Sequence, residues 1–146
     1  MCSILLKFAL DHIPRSQCAG LYASYTKFEK QHGTRNSIEN TVSAKRRIQY
    51  EEEIERNKQN HEVWFDYTRL EENVCKEDDT AVEQQDAACG RVREVYERSV
   101  AQVPPGAEKS HWRRYIFLWL NYALFEEIEM KVRSLLPLSS YKHQSL

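Results

Sequence analysis

The chain has 146 residues, enough for one domain or a short array of repeats. Its 21 basic and 22 acidic residues leave a net charge of −1. That charge argues against a protein whose surface as a whole is strongly basic and binds double-stranded nucleic acid. Only four glycines and four prolines occur, and so few turn residues favour long helices over a hairpin-rich β fold. The composition therefore predicts an all-α protein.

Apolar side chains at helical spacing predict six helices in chain order. They cover approximately residues 3–13, 21–31, 38–57, 61–73, 90–103 and 111–130. Gly33 is expected to close the second helix in a left-handed conformation. In the fifth helix, Ser99 lies within a stripe of valines and is expected to be a small packing residue. The sixth helix is apolar nearly all round in its middle, which predicts burial on more than one side.

Two segments are predicted to lack regular structure. Residues 71–86 hold seven acidic residues and one lysine, a bias typical of a solvated loop, and we place the whole connection at 71–89. An acidic contact surface for a basic partner is the alternative for this piece. The last segment, residues 131–146, contains Pro137 and four serines. It is predicted to be a disordered tail.

Side chains that would indicate catalysis, a cofactor or a metal are not arranged for those roles. Cys75 and Cys89 are fourteen residues apart with no histidine near either, whereas zinc sites use short paired spacings, so free reduced thiols are expected. The consecutive acids Glu51, Glu52 and Glu53 splay around a helix and cannot converge on a substrate. The longest apolar stretch, residues 115–125, is short of the ~20 residues that span a bilayer. We predict a non-enzymatic chain with no catalytic residues, no metal, no cofactor and no membrane-spanning helix.

A short motif recurs three times at helical spacing, which indicates internal repeats. Each copy, here called the A motif, has an aromatic residue, a tyrosine three residues later, a large apolar residue three further on, and then a glutamate. The copies are Tyr22, Tyr25, Phe28 and Glu29; Trp64, Tyr67, Leu70 and Glu71; and Trp119, Tyr122, Phe125 and Glu126.

A second motif, the B motif, alternates with the A motif. Its clearest copy has Arg93, Tyr96, Glu97 and Arg98 and ends at Pro104. Residues 47–54 have the same layout, and residues 6–14 are a degraded copy. The order B, A, B, A, B, A predicts an α-solenoid of tandem antiparallel helical hairpins.

The motifs divide the chain into repeats and partial repeats. The predicted units are a partial repeat (helix B) at 1–14, a repeat at 15–60, a repeat with the acidic loop at 61–105, and a partial repeat (helix A) at 106–130. Stacked hairpins bury one another's apolar faces. We therefore expect both terminal helices to expose apolar side chains, which predicts self-association and suggests a fragment, a truncated product or an incomplete gene model.

Two basic clusters are candidates for contact with RNA or with a protein partner. They are Lys45, Arg46 and Arg47, and Lys109, Arg113 and Arg114. Positive charge beside aromatic rings suits RNA phosphates and bases. The neighbouring Tyr50 and Trp119 have the periodicity of core residues, however, which favours a solvated or protein-facing surface.

The A-motif helix followed by the B-motif helix resembles the half-a-tetratricopeptide (HAT) repeat of RNA-processing scaffolds, a TPR-like family. The strings at residues 43–54, 63–67, 93–98 and 112–124 are similar to the crooked-neck family of splicing factors. That resemblance implies a nuclear, non-catalytic scaffold that docks spliceosomal proteins of the nineteen complex. A HAT scaffold of mRNA 3′-end processing or rRNA maturation is the alternative, against which the strings at 43–67 and 112–124 argue. Lys58 stands where the family's helix usually ends in proline, so the third helix is expected to run on or fray.

Overall fold

In the computed structural model, the described residues are 2–14, 17–77 and 82–140. They form six α-helices and no strand, which confirms the all-α prediction. The helices are α1 (Cys2–His12), α2 (Cys18–His32), α3 (Arg35–Arg56), α4 (His61–Glu77), α5 (Val82–Val100) and α6 (Lys109–Ser140). The chain divides into a first unit, Met1–Glu53, and a second unit, Ile54–Leu146. Among the described residues, no helix is both long and apolar enough to cross a membrane.

The turn between α3 and α4 is built by two asparagines. The Asn57 side chain accepts the Gln59 backbone N–H at 3.1 Å, and its carbonyl accepts the Asn60 N–H at 3.2 Å. The Asn60 side chain in turn accepts the Glu62 N–H, one of the donors that a helix start leaves unpaired. Because these bonds close a tight turn, α3 ends at Arg56, and the expected extension past Lys58 does not occur.

The prediction of an acidic loop at 71–89 is wrong for most of its length. The α4 helix continues to Glu77 and α5 begins at Val82. Of the residues 71–89, the four that lie outside the described structure are 78–81. Glutamate, glutamine, lysine and alanine are strong helix formers whatever their hydropathy. The pair Glu72 and Lys76, four residues apart and 3.8 Å between charged atoms, adds support along the helix.

The last helix is also longer than predicted. We expected a disordered tail over 131–146, but the backbone is helical as far as Ser140. Residues 131–140 include lysine, arginine and leucine, which favour the helix, and Lys131 pairs with Glu127 one turn earlier at 2.7 Å. Residues 141–146 lie outside the described part.

Gly33 ends α2 in a conformation different from the predicted one. Its φ of −85° and ψ of 161° are extended, so the left-handed cap is wrong. Its N–H donates to the Glu29 carbonyl at 2.7 Å, and a Cβ at this position would stand 2.5 Å from that oxygen. Glycine is required here by the close approach of the helix carbonyl.

The first unit has a small core. The α1 helix packs against α2, and the buried apolar side chains are Cys18 and Tyr25, accompanied by the buried polar residues Glu29 and Thr41. A cavity of about 440 Å³ is lined by residues of α1, α2 and α3, and a second of about 250 Å³ by residues of the same helices and by Ile13.

The second unit is packed more tightly. The α5 helix packs against α4 and α6, and α6 also contacts α4. Cys75 contacts Cys89 and Glu72 contacts Tyr96, so α4 and α5 are antiparallel. Tyr96 stacks on Tyr122 and the Val100 carbonyl accepts from Tyr115, so α5 and α6 are antiparallel as well. The largest fully buried side chains are Trp64, Tyr96, Leu118, Val92, Cys89 and Ser99. This helical order, with two A-motif helices separated by a B-motif helix, is that of stacked hairpins.

Candidate functional site

The first aromatic position of the A motif has a different environment in each copy. Trp64 is 1% exposed, its indole N–H donates to the Lys58 carbonyl at 2.9 Å, and the Arg98 guanidinium lies 5.5 Å from the ring centre. Tyr22 is half-buried, while Trp119 is 48% exposed. The expectation that Trp119 is a core residue is therefore wrong in this chain, because the neighbouring Leu118 occupies the buried side of α6 instead.

The tyrosine and large apolar positions of the A motif face the helix contacts. Tyr25 and Tyr67 are buried, and Tyr122 is half-buried, with its ring stacked on Tyr96 at 5.1 Å between centroids. Phe125 is buried beside the same ring. Phe28 and Leu70 are half-buried. At these positions the motif side chains are buried or half-buried, and in α6 they contact α5.

The three motif glutamates bind polar side chains of the next or preceding helix. Glu29 accepts a hydrogen bond from the Ser37 hydroxyl of α3. Glu71 is 2% exposed and lies 3.8 Å from Arg91 of α5. Glu126 and Arg93 form a two-pronged pair at 2.5 and 3.1 Å. The motif carboxylates thus act as ties between helices, a structural use of charge.

The B motif supplies the other half of these contacts. The Tyr96 hydroxyl donates to the Glu72 carboxylate, and burial together with that carboxylate raises the pKa of Tyr96. Glu97 accepts a hydrogen bond from the Tyr122 hydroxyl at 3.4 Å, and Pro104 is buried just after α5. Ser99 is fully buried and donates to the Tyr96 carbonyl, as expected for a packing residue.

Trp112 falls outside both motifs and was not predicted to have a structural role. Its indole N–H donates to the carbonyl of Gly106, six residues earlier, at 2.6 Å. Trp64 makes the same bond to a carbonyl six residues earlier, and each tryptophan is the fourth residue of its helix. Counting from the helix start, rather than matching the A motif, would have found this pair.

The terminal helices expose apolar side chains, as predicted. On α1, Ile4, Leu5 and Phe8 are between 62% and 73% exposed. On α6, one side packs through Leu118 and Phe125, so the predicted burial on more than one side is wrong. The outer side of α6, here called the α6 outer face, is formed by Ile116, Phe117, Trp119, Leu120, Leu124 and Ile128. Large exposed apolar patches of this kind commonly mark protein contact sites.

The two basic clusters are largely on the surface, one in each unit. Lys45 and Arg46 are exposed and Arg47 is half-buried on α3. Lys109, Arg113 and Arg114 are exposed at the start of α6. Arg114 lies 2.6 Å from Glu62 of α4, so part of its charge is already matched within the chain.

Two features of the structure were not predicted from the sequence. The Sγ atoms of Cys75 and Cys89 are 2.9 Å apart, with Glu129 close by, and this is the one group of metal-ligating side chains found among the described residues. Nothing in the spacing predicts this contact, since the register of α4 against α5 creates it. The second feature is His61, which is 4% exposed with an Nε2 atom lacking a hydrogen-bond partner. Burial, aided by His111, lowers its pKa.

Comparison with known proteins gives a consistent set of relatives. The chain is 48% identical over 127 residues to pre-mRNA-splicing factor clf1 of Aspergillus fumigatus, covering 87% of this chain and 17% of the fungal protein. It is 49% identical over 122 residues to human crooked neck-like protein 1, covering 84% of this chain and 13% of that protein. Drosophila melanogaster protein crooked neck is 45% identical over 126 residues, 86% of this chain and 16% of its own length.

No family model matches the chain. The chain spans about one sixth of the length of the relatives it matches. The identities of 45–50% over some 85% of its residues, together with the helical hairpins described above, show to which protein family the chain belongs. The chain belongs to the crooked-neck-like family.

Proposed function

We propose that this chain is a non-catalytic scaffold segment of pre-mRNA splicing in the nucleus. On this proposal it docks protein subunits of the spliceosome, those of the nineteen complex in particular. The observation that carries the proposal is the sequence identity to relatives that are named as splicing factors. Their names also favour splicing over 3′-end processing or rRNA maturation.

The α6 outer face supports a docking role. It presents six large apolar side chains, each about half exposed, along three turns of one helix. In a stacked array such a face is covered by another helix. Side chains of this size carry most of the energy of a protein interface when they enter a pocket on the partner.

The test is affinity purification of the tagged chain from nuclear extract, with and without RNase, read by mass spectrometry. We expect spliceosomal proteins in both samples, since protein contacts survive the loss of RNA. Loss of the proteins after RNase treatment would mean that RNA bridges them to the chain. The basic residues Lys45, Arg46, Lys109 and Arg113 would then be the candidate RNA contacts. Recovery of cleavage and polyadenylation factors or ribosome-assembly factors instead would contradict the splicing assignment.

Comparison of two variants tests whether the captured proteins bind the α6 outer face. Leu120→Asp and Leu124→Asp, combined, put two charges on the α6 outer face, where both side chains are more than 50% exposed. We expect this variant to lose the captured proteins while keeping its helix content by circular dichroism. The matched control is Gln49→Asp on the exposed side of α3, which should capture them normally. Equal capture by both variants would remove α6 from the proposal.

A further inference from the structure

Two buried thiols of the second unit lie in direct contact. Cys75 on α4 is 4% exposed and Cys89 on α5 is 1% exposed, and their sulfur atoms are 2.9 Å apart. The half-buried Glu129 of α6 directs a carboxylate oxygen to the same place, and all three ligand-type atoms lie within 4.8 Å of one another. Each of the three helices of the unit thus contributes one such atom.

We propose that Cys75, Cys89 and Glu129 form a binding site for one divalent transition-metal ion of the Zn²⁺ class. Two thiolates and a carboxylate are ligands that this borderline-soft ion accepts, whereas Mg²⁺ and Ca²⁺ select oxygen alone. Tetrahedral coordination with Zn–S bonds of about 2.3 Å places the sulfurs about 3.8 Å apart. Small rotations of the two cysteine side chains supply the remaining separation.

The site has a way in and room for a fourth ligand. A cavity of about 460 Å³ is lined by Cys75 and Glu129, together with Thr68, Phe125 and other residues of the three helices. A water molecule occupies about 30 Å³, so solvent can reach the metal position. Three protein ligands and one water is the usual arrangement of an open zinc site.

Charge favours a cation at this point. The two thiolates and the carboxylate carry three negative charges when all are ionised, and a divalent ion cancels two of them. On binding, two S–H bonds break, two S–metal bonds form, and two protons pass to the solvent, with no change of oxidation state.

A disulfide is the competing use of the two thiols. It would need a two-electron oxidant, and the attacking group would be a thiolate. A disulfide also leaves the position of Glu129 without a role, whereas a metal uses all three side chains.

The test is titration of the full reduced chain with Co²⁺, a spectroscopic substitute for Zn²⁺, under anaerobic conditions with a phosphine reductant. We expect one Co²⁺ per chain, with thiolate-to-cobalt charge-transfer absorption and the strong visible bands of tetrahedral cobalt, both abolished by one equivalent of Zn²⁺. The control variant Cys2→Ser/Cys18→Ser retains only Cys75 and Cys89 and should bind unchanged. Cys75→Ser and Cys89→Ser should each weaken binding at least about 100-fold, and Glu129→Gln about 10–100-fold.

A second measurement uses the unaltered chain, so its result does not depend on whether the variants fold. Zn²⁺ binding only to the native state should raise the unfolding temperature of the unaltered chain, and a chelator should reverse the rise. Absence of both the spectrum and the temperature shift overturns the proposal, as does retention of full affinity by folded Cys75→Ser. Formation of a Cys75–Cys89 disulfide in air, by a chain that binds no metal when reduced, would assign the pair to redox chemistry instead. The cavity beside this site shares Leu124 and Ile128 with the α6 outer face. Cys75→Ser and Cys89→Ser leave that face unaltered, so failure of the metal proposal is distinguishable from failure of the docking proposal.

Discussion

The two units carry the same repeat motif and bury it to different extents. In the second unit, α5 lies between two A-motif helices and the buried apolar side chains include two aromatic rings below 2% exposure, Trp64 and Tyr96. In the first unit, Cys18 and Tyr25 are the buried apolar side chains among the described residues, beside cavities of about 440 and 250 Å³. The motif therefore specifies the helix, whereas the neighbouring helices determine how far each motif position is buried.

The largest expected difference in the free energy of unfolding is between alanine variants of two tryptophans at the same motif position. Trp64→Ala removes a fully buried ring with its hydrogen bond to Lys58, and we expect it to lower the free energy of unfolding by about 3–5 kcal/mol. Trp119→Ala removes a half-exposed ring and should change it by about 0.5 kcal/mol or less. Urea unfolding followed by circular dichroism measures both.

A loss for Trp119→Ala as large as that for Trp64→Ala would mean that the α6 outer face is covered in solution. Self-association, predicted from the exposed apolar ends, would account for that result. Light scattering at two protein concentrations would then show a mass above that of one chain, which Leu120→Asp should restore to the monomer value.

Two glycines provide the next contrast, with effects of opposite sign. Gly33→Ala places a Cβ against the Glu29 carbonyl at 2.5 Å, and overpacking of this kind costs about 1–3 kcal/mol. Gly90 lies exposed inside α5, and apart from the adjacent residues and the backbone of its own helix turn no atom lies within 4 Å of the point where an alanine methyl would stand. Gly90→Ala should therefore raise the free energy of unfolding by about 0.5–1 kcal/mol. Thermal unfolding of the two variants measures the difference, and stabilisation by Gly33→Ala would show that the α2–α3 turn differs from the one described.

The coupling energies of two ion pairs, one in each unit, should differ by a smaller amount. Arg93 and Glu126 are each less than a third exposed and bind through two hydrogen bonds, so a double-mutant cycle to alanine should give a coupling energy of about 1 kcal/mol. Arg35 and Glu39 of the first unit lie on one helix and are 90% and 48% exposed. Their coupling should be about 0.3–0.5 kcal/mol and should fall with added salt. Equal couplings would mean that burial does not strengthen the inter-helix pair.

The helices were predictable from the sequence because their signals are local. Apolar spacing and the few turn residues place α1 to α4 within a few residues of their observed bounds. The errors at 71–77 and 82–89 arose because charge was taken for disorder, although the residues there favour a helix and Glu71 is buried against Arg91. The exposure of Trp119 and the contact of Cys75 with Cys89 depend on which helices pack together and in what register. No spacing within one helix contains that information.

His61 gives the last prediction, which concerns acid. It starts α4 and faces His111, Arg114 and Tyr115 of α6. Burial, and then His111, lowers its pKa in the folded state. Below the unfolded value of about 6.5 the unfolded chain therefore binds more protons than the folded chain, so the free energy of unfolding falls as the pH decreases.

Urea unfolding between pH 7.5 and 5 should show this loss of stability. His61→Gln should remove most of the pH dependence, and His111→Gln should reduce it, because His111 is one of the groups that lower the pKa of His61. A steeper loss in His61→Gln than in the unaltered chain would place the acid sensitivity elsewhere.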